Sequence, residues 1–452
     1  MSQSSLQKTL TASTCNFLAA GAIVAGGSGL ELWEKYLGLS GGDLGWLNFL
    51  SANGTGAAIG AFLGGFLADR YGRSKVFTYN LLTYMAGILL TMTASTFAQL
   101  LLGFVITGVA AGVSIPASWT YICECSEPNT RGRNIAFSQM AWGLGPAFVL
   151  LFAYLFSPGG QLFQSVVDVA DWFGVRSNHT NAVNVYTSRI VFALLYIDAV
   201  IAWFFMRRLE PSNEWLANKA SIDKTQPLFF SFKKLFKAPY LQTVIILTSM
   251  YLSWNIVAST MGFFQNHIYQ TVGNLSMLIT TRTLADMWFL TCIITFVGAF
   301  FIDRFNHRKL MAVFVDVGIL AWLLVGLVGI DSMGGLIFVT ILWGVQAGIS
   351  VQLFFALWSV ELFPFRYRAA AVGVMVCIVR LLSALGATTF SDYFNSIGGE
   401  KAISYGSWIM LALFVISAAI GIHFAPETRG KTMSQISDER YGEDHTKEHY
   451  GE

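Results

Sequence analysis

The sequence predicts an all-α integral membrane protein, with twelve transmembrane helices in two pseudo-symmetric six-helix bundles. Three observations carry this. Of the 452 residues, 54% are hydrophobic and only 12% charged, whereas soluble domains carry about a quarter charged residues, so most of the surface must face lipid. The apolar residues fall into runs near the roughly 20 residues that a span needs, at 10–33, 43–68, 76–95, 97–123, 134–157, 188–207, 240–268, 283–302, 310–330, 334–360, 368–390 and 402–424. Two charged constellations also recur in order: Asp69-Arg70 with Lys75 matches Asp303-Arg304 with Lys309, and Glu124 before Arg131 matches Glu361 before Arg368. Parallel duplication of this kind holds substrate between two halves related by an axis along the membrane normal.

Span 1 follows a short polar start with Lys8, carries Gly21, Gly26, Gly27 and Gly29, and lacks a small-x-small cleavage site. It reads as a helix, not a removed signal peptide. Span 2 carries Ala57, Gly60, Ala61, Gly64 and Gly65, small residues that let a neighbouring helix approach closely. It ends abruptly in Asp69, Arg70, Arg73 and Lys75 before span 3. The loops after spans 2, 4, 6, 8 and 10 hold most of the Lys and Arg, whereas the intervening loops hold only Lys35, Arg176, Arg189, Arg282 and Lys401. By the positive-inside rule both termini are cytoplasmic, in a multi-pass protein of the inner or plasma membrane.

The largest loop on the other side, Pro158 to Thr187, repeats Phe163, Val166, Val167, Val169, Ala170 and Phe173 at helical spacing and predicts an amphipathic cap. It also contains the glycosylation sequon Asn178-His179-Thr180. The long basic connector at 210–239 separates an N-terminal bundle, 1–209, from a C-terminal one, 240–431, followed by a tail at 432–452. Within the connector, Phe232-Lys233-Lys234-Leu235-Phe236-Lys237 suits either a short helix lying on the inner surface or a solvated linker.

The duplicated charges need a role, because charge near lipid is costly. Asp69, Arg70, Arg73, Glu124, Arg131, Arg133, Asp303, Arg304, Arg308, Glu361 and Arg368 are expected to form an inner gate whose pairs break when the protein opens inward; the alternative is a set of topogenic anchors.

The run Gly64-Gly65-Phe66-Leu67-Ala68-Asp69-Arg70-Tyr71-Gly72-Arg73 resembles the signature loop between helices 2 and 3 of the major facilitator superfamily. Tyr121-Ile122-Cys123-Glu124 with Arg131-Gly132-Arg133, Glu361-Leu362-Phe363-Pro364 with Arg368, and Pro426-Glu427-Thr428-Arg429-Gly430-Lys431 resemble the patterns of its sugar porters. That resemblance implies alternating access and carries one sugar-binding residue over, Gln139 in span 5. It departs in span 7, where Ser253, Trp254 and Ser259 stand in place of the family's paired Gln and later Asn. It departs again in span 10, where Gln352 and Leu353 replace a Gly-Pro pair, and in span 1, which is uncharged from Thr11 to Leu30 and so lacks the acid used by proton-coupled members.

Arg380 follows Arg368 by twelve residues, ~18 Å along a helix, and so lies near mid-membrane, where an Arg costs ~3 kcal/mol. It needs a counterion, a wet cavity or an anionic ligand. The run from Glu361 through Arg366, Arg368, Ala371 and Gly373 to Arg380 is similar to the metabolite and organic-acid symporters of the superfamily. Arg380 therefore either contacts substrate or pairs with Asp286 of span 8. Asn255, Gln265 and Asn266 of span 7, with Gln352 and Trp358 of span 10, are cavity candidates that could equally bond between helices. In a sugar site Gln139, Asn255 and Gln352 would meet hydroxyls and Trp254 or Trp358 would pack against the ring. Glu31, Asp286 and Arg380 are the coupling candidates, with an interfacial anchor the other reading of Glu31.

The expected function is a secondary transporter of a sugar or similar polar metabolite, with a sugar-acid or organic-acid:proton symporter as the alternative and a transporter-like sensor as the reading from another class. Partners would be the small-molecule substrate, with or without a proton, and the bilayer, for a monomer without nucleic acid. No enzyme signature is present, since nothing forms a nucleophile–base pair, a metal-ligand cluster or a phosphate loop. Cys123 and Cys125 have no second ligand pair for zinc, and no cofactor is implied.

Overall fold

A computed structural model of the chain describes residues 3–51, 54–175, 180–219, 227–271, 274–329, 333–397, 399–443 and 445–446. Span 1 is α1 (Ser5–Ser28) continued by α2 (Leu30–Leu37), and span 2 is α3 (Gly41–Leu50) with α4 (Thr55–Tyr71). Spans 3 to 5 are α5 (Arg73–Met92), α6 (Phe97–Glu124) and α7 (Arg131–Phe156); α8 (Phe163–Trp172) precedes span 6, α9 (Thr180–Met206). The connector holds α10 (Asn213–Asn218) and α11 (Phe230–Leu235). Spans 7 to 9 are α12 (Tyr240–Thr271), α13 (Met277–Ala299) and α14 (His307–Val328). Span 10 is α15 (Met333–Gly348) plus α16 (Val351–Glu361), and spans 11 and 12 are α17 (Arg368–Ile397) and α18 (Gly399–Phe424), with α19 (Met433–Tyr441) in the tail.

Ten helices among the described residues are long and apolar enough to cross a membrane, and spans 2 and 3 complete the twelve. Most ends agree with the sequence pattern to within a few residues, but span 6 begins eight residues earlier, at Thr180, because the polar start of α9 continues the same helix. The loop helix α8 buries Val166 and Ala170 of the expected apolar face, whereas Phe173, just past its end, is exposed. Asn178 and His179 of the sequon lie outside the described residues.

The halves meet along two seams, α4 against α17 and α7 against α13. Small residues make the first seam possible: a Cβ on Gly65 would collide with the Ala369 carbonyl, and one on Gly373 with that of Ala61. On its flank, Phe229 at the start of α11 stacks on Phe62 of α4 and meets Phe66 edge-on, and Phe232 meets Phe62 edge-on, while α11 itself contacts α12 and α17. The connector thus packs as an apolar-faced helix across the seam.

Span 10 is broken where an unbroken helix is expected. Ile349 and Ser350 leave the helical path, and the Gly348 carbonyl, freed from the N–H four residues on, accepts from the Thr295 hydroxyl at 2.8 Å. One turn earlier the Thr291 hydroxyl donates to Gly344 at 3.0 Å. Thr295 of α13 therefore satisfies a carbonyl that lipid could not, and Thr291 adds a contact to the α15 backbone one turn before the break.

Candidate functional site

Two reciprocal caps hold the halves together at one end of the molecule. Asp69, at the end of α4, accepts the first-turn amides of α17 in the other half: Ala369 N–H donates to Oδ1 at 3.2 Å and Ala370 N–H to Oδ2 at 2.8 Å. Asp303, in the turn after α13, does the same to α7: Gly132 N–H donates at 3.0 Å and Arg133 N–H at 2.9 Å. The first N–H groups of a helix have no partner within it and carry the positive end of its dipole, so a carboxylate placed there satisfies both. A Cβ on Gly132 would collide with Asp303 Oδ1, so that cap requires glycine.

Charge pairs surround each cap. Arg73 donates to Asp69 at 2.9 Å and lies 2.8 Å from Glu124 Oε1, with its guanidinium over the Phe365 ring. Glu124 also meets Arg368 at 3.5 Å, and the Ser212 hydroxyl donates to its other oxygen. Arg368 crosses again to Glu214 of α10 at 2.8 Å. On the related side Arg131 donates to Glu361 at 2.8 Å, again from one half to the other. Burial pushes the Glu214 carboxyl up, but the Arg368 guanidinium beside it more than offsets this and holds it below the ordinary value of 4.5, so that pair survives until pH falls through the lowered value. Arg73, Arg368, Glu124 and Glu361 are almost fully buried. Removing one partner of such a pair leaves an uncompensated buried charge.

The expected gate set is thus divided. Arg133 contributes its backbone amide, and Arg70 stacks near the Tyr71 ring. Arg304 and Arg308 lie outside the cross-half pairs: the Arg304 carbonyl accepts from Arg429, and Arg308 faces a cleft with the tail. Glu214 was not legible as a member, since it is one of three acids in the connector, with Glu210 and Asp223.

At mid-depth, Gln352 on the first turn of α16 donates to Gln139 Oε1 of α7 at 3.0 Å, so two amides meet across the halves. The buried Nε2 of Gln139 meets no acceptor among the described residues. Trp254 donates to Gln346, a buried residue not anticipated from the pattern, at 3.2 Å, and Tyr251 stacks between Trp254 and Phe355. Asn255 accepts from Ser383 of α17 at 3.0 Å.

Other expected site residues fall elsewhere. Gln265 donates to Tyr269 and lines an apolar cavity inside the second half with Trp322 and Trp343, away from the seam. Asn266 is half-buried. Trp358 is fully buried against Phe354, one turn before Glu361, and so belongs to the latched end. Asp286 does not pair with Arg380. Its partner is Arg282 at 3.9 Å, and it is exposed on the same stripe of α13 as Phe289, Ile293 and Phe296, because its rotation about the helix carries it away from the interior. Arg380 is buried, with its guanidinium 5.8 Å from the Trp142 ring centre on α7. Glu31 pairs with Lys35 on exposed α2, as an anchor would.

The chain matches the model of the Major Facilitator Superfamily over residues 11–387. It is 34% identical to the Minor myo-inositol transporter IolF of Bacillus subtilis over 442 residues, which cover 96% of this chain and 94% of that protein. The Glucose transporter GlcP of Staphylococcus epidermidis is 24% identical over 415 residues, or 85% of this chain and 86% of its own. Among solved structures, the proton:xylose symporter XylE bound to 6-bromo-6-deoxy-D-glucose superposes with a TM-score of 0.77 at 17% identity, covering 96% of this chain and 99% of that one.

Proposed function

Because this chain belongs to the Major Facilitator Superfamily, we propose that it is a membrane transporter that carries a neutral polyhydroxylated solute, a sugar or cyclic polyol, by alternating access. The observation that carries the substrate class is the Gln139–Gln352 amide pair spanning the two halves. An amide offers both donors and an acceptor, which matches a hydroxyl that both gives and takes a hydrogen bond. Substrate arriving between the halves replaces the amide-to-amide bond with amide-to-hydroxyl bonds, with Asn255 and Trp254 beside it.

Transport then requires that the reciprocal caps and the Arg–Glu pairs part. The conformation described here is closed at their end. In this reading that end is cytoplasmic, the protein sits as a monomer in the cell membrane with both termini inside, and proton coupling accompanies uptake. The caps act as a gate and do not touch substrate.

A second reading, a sugar-acid or organic-acid symporter, is favoured by one observation, the buried Arg380 at mid-depth. Proteoliposome uptake separates the two. Labelled myo-inositol and glucose should accumulate, faster under an inward proton gradient, and Gln139→Ala should raise KM with little effect on protein stability. If gluconate is carried and myo-inositol and glucose neither enter nor compete, the neutral-solute reading fails.

A further inference from the structure

Beyond the transport path, a cleft of about 420 Å³ opens at the latched end, within the second half. It lies between the starts of α12 and α14, the end of α18, and the tail helix α19. Its size falls in the roughly 300–1,000 Å³ range of small-ligand sites.

Its charge is what distinguishes it. Arg308 and Arg440 both line it, and neither has a carboxylate partner among the described residues. The Nε of Arg440 donates to Thr243 at 3.2 Å, and that of Arg308 is buried without an acceptor. The two acids in the walls are already engaged: Glu427 accepts the backbone amides of His307 and Arg429, and Glu439 pairs with Lys431. Arg308, Arg440 and Lys431 thus stand against two carboxylates, a net positive charge beside the apolar walls of Ile246 and Phe424. Two guanidiniums without a carboxylate partner suit an oxyanion bound in bidentate fashion.

We propose that this cleft binds the phosphate group of a phosphate-bearing ligand. That group belongs either to a soluble sugar phosphate or to an anionic lipid headgroup reaching in past Phe424, which is exposed at its edge. The cleft is also joined to the latch, since the Lys431 carbonyl accepts from Arg131, the partner of Glu361. Occupancy consequently favours the conformation closed at this end, to the extent that the ligand binds it better than the open one.

The test uses the full chain in phosphatidylcholine nanodiscs and reads the melting temperature. Inorganic phosphate and glucose 6-phosphate are titrated as soluble probes, and a parallel set of discs contains phosphatidylglycerol. A rise with glucose 6-phosphate or phosphate identifies a soluble ligand, and a rise only in the phosphatidylglycerol discs identifies the headgroup. In either case R308Q/R440Q should weaken the apparent affinity about tenfold or more. The R440Q single variant, altered only on the tail helix, should weaken it less, and R429Q, outside the cleft, should bind as the unaltered chain does. No stabilisation in any arm, or equal stabilisation of R308Q/R440Q, overturns the proposal.

Discussion

The two latches share a plan and differ in reinforcement. In each, an aspartate after an even-numbered span caps the first turn of a helix in the opposite half, and a glutamate at the end of span 4 or 10 meets the arginine that opens that helix or its counterpart. Four residues after the aspartate, however, the first latch has Arg73 and the second has His307. Arg73 ties Asp69 to Glu124. His307 makes no hydrogen bond across the seam among the described residues; its backbone N–H lies 3.0 Å from Glu427 and its ring 3.4 Å from Thr428. Glu361 consequently keeps one oxygen buried without a donor among the described residues, whereas Glu124 engages two arginines and a serine. The caps are thus the common element, and the surrounding charges make the α4/α17 seam the stronger of the two.

That asymmetry can be broken. Neutralising Glu124 leaves Arg73 with Asp69 and Arg368 with Glu214, while neutralising Glu361 leaves Arg131 without a carboxylate partner among the described residues. E361Q should shift the equilibrium toward the open state by about 3 kcal/mol, or roughly a hundredfold, and E124Q by less, because both of its arginines keep a second acid. Spin-label distances between the latched ends of α4 and α17, compared with those between α7 and α13, read both. Equal shifts would mean that Asp69 and Glu214 do not compensate the arginines that Glu124 leaves.

It can also be sharpened. By the pseudo-symmetry, an arginine in place of His307 should reach Asp303 and the unsatisfied oxygen of Glu361. H307R is expected to lengthen the closed state and slow uptake several-fold, by about 1 kcal/mol for one added charge-assisted hydrogen bond, with little change in substrate KM. Faster opening would show that the site cannot hold the longer side chain. The smallest effect belongs to E214Q, because Glu214 is partly exposed and Arg368 retains Glu124. A shift of a few-fold at most is expected at pH 7, disappearing when pH falls through the lowered carboxylate value.

Much of this was legible in the residues. Composition, apolar runs and loop charge carry the twelve spans, and the recurrence of Asp-Arg and Glu–Arg spacing marks the latch. Which acid meets which helix was not legible, because Asp69 and Asp303 bind backbone N–H groups, and amides at Ala369, Ala370, Gly132 and Arg133 carry no side-chain signature. The break in span 10 was hidden for the same reason, since a hydroxyl of another helix sustains it without a proline. Asp286 was misplaced because counting residues gives depth along a helix but not rotation about it. His307 stood in plain view at the position corresponding to Arg73, but only the packed structure shows that it serves the Pro426–Lys431 run and not the seam.

The most direct test of the reciprocal caps is the inter-half distance at their end in D69N/D303N, measured by pulsed electron resonance in lipid. If the caps hold the halves together, the distances across both seams widen and the closed population falls well beyond the sum of the losses in D69N and D303N, since either remaining cap alone still restrains the halves. If the double variant keeps the closed distance distribution of the unaltered chain, the caps are incidental and the account is wrong.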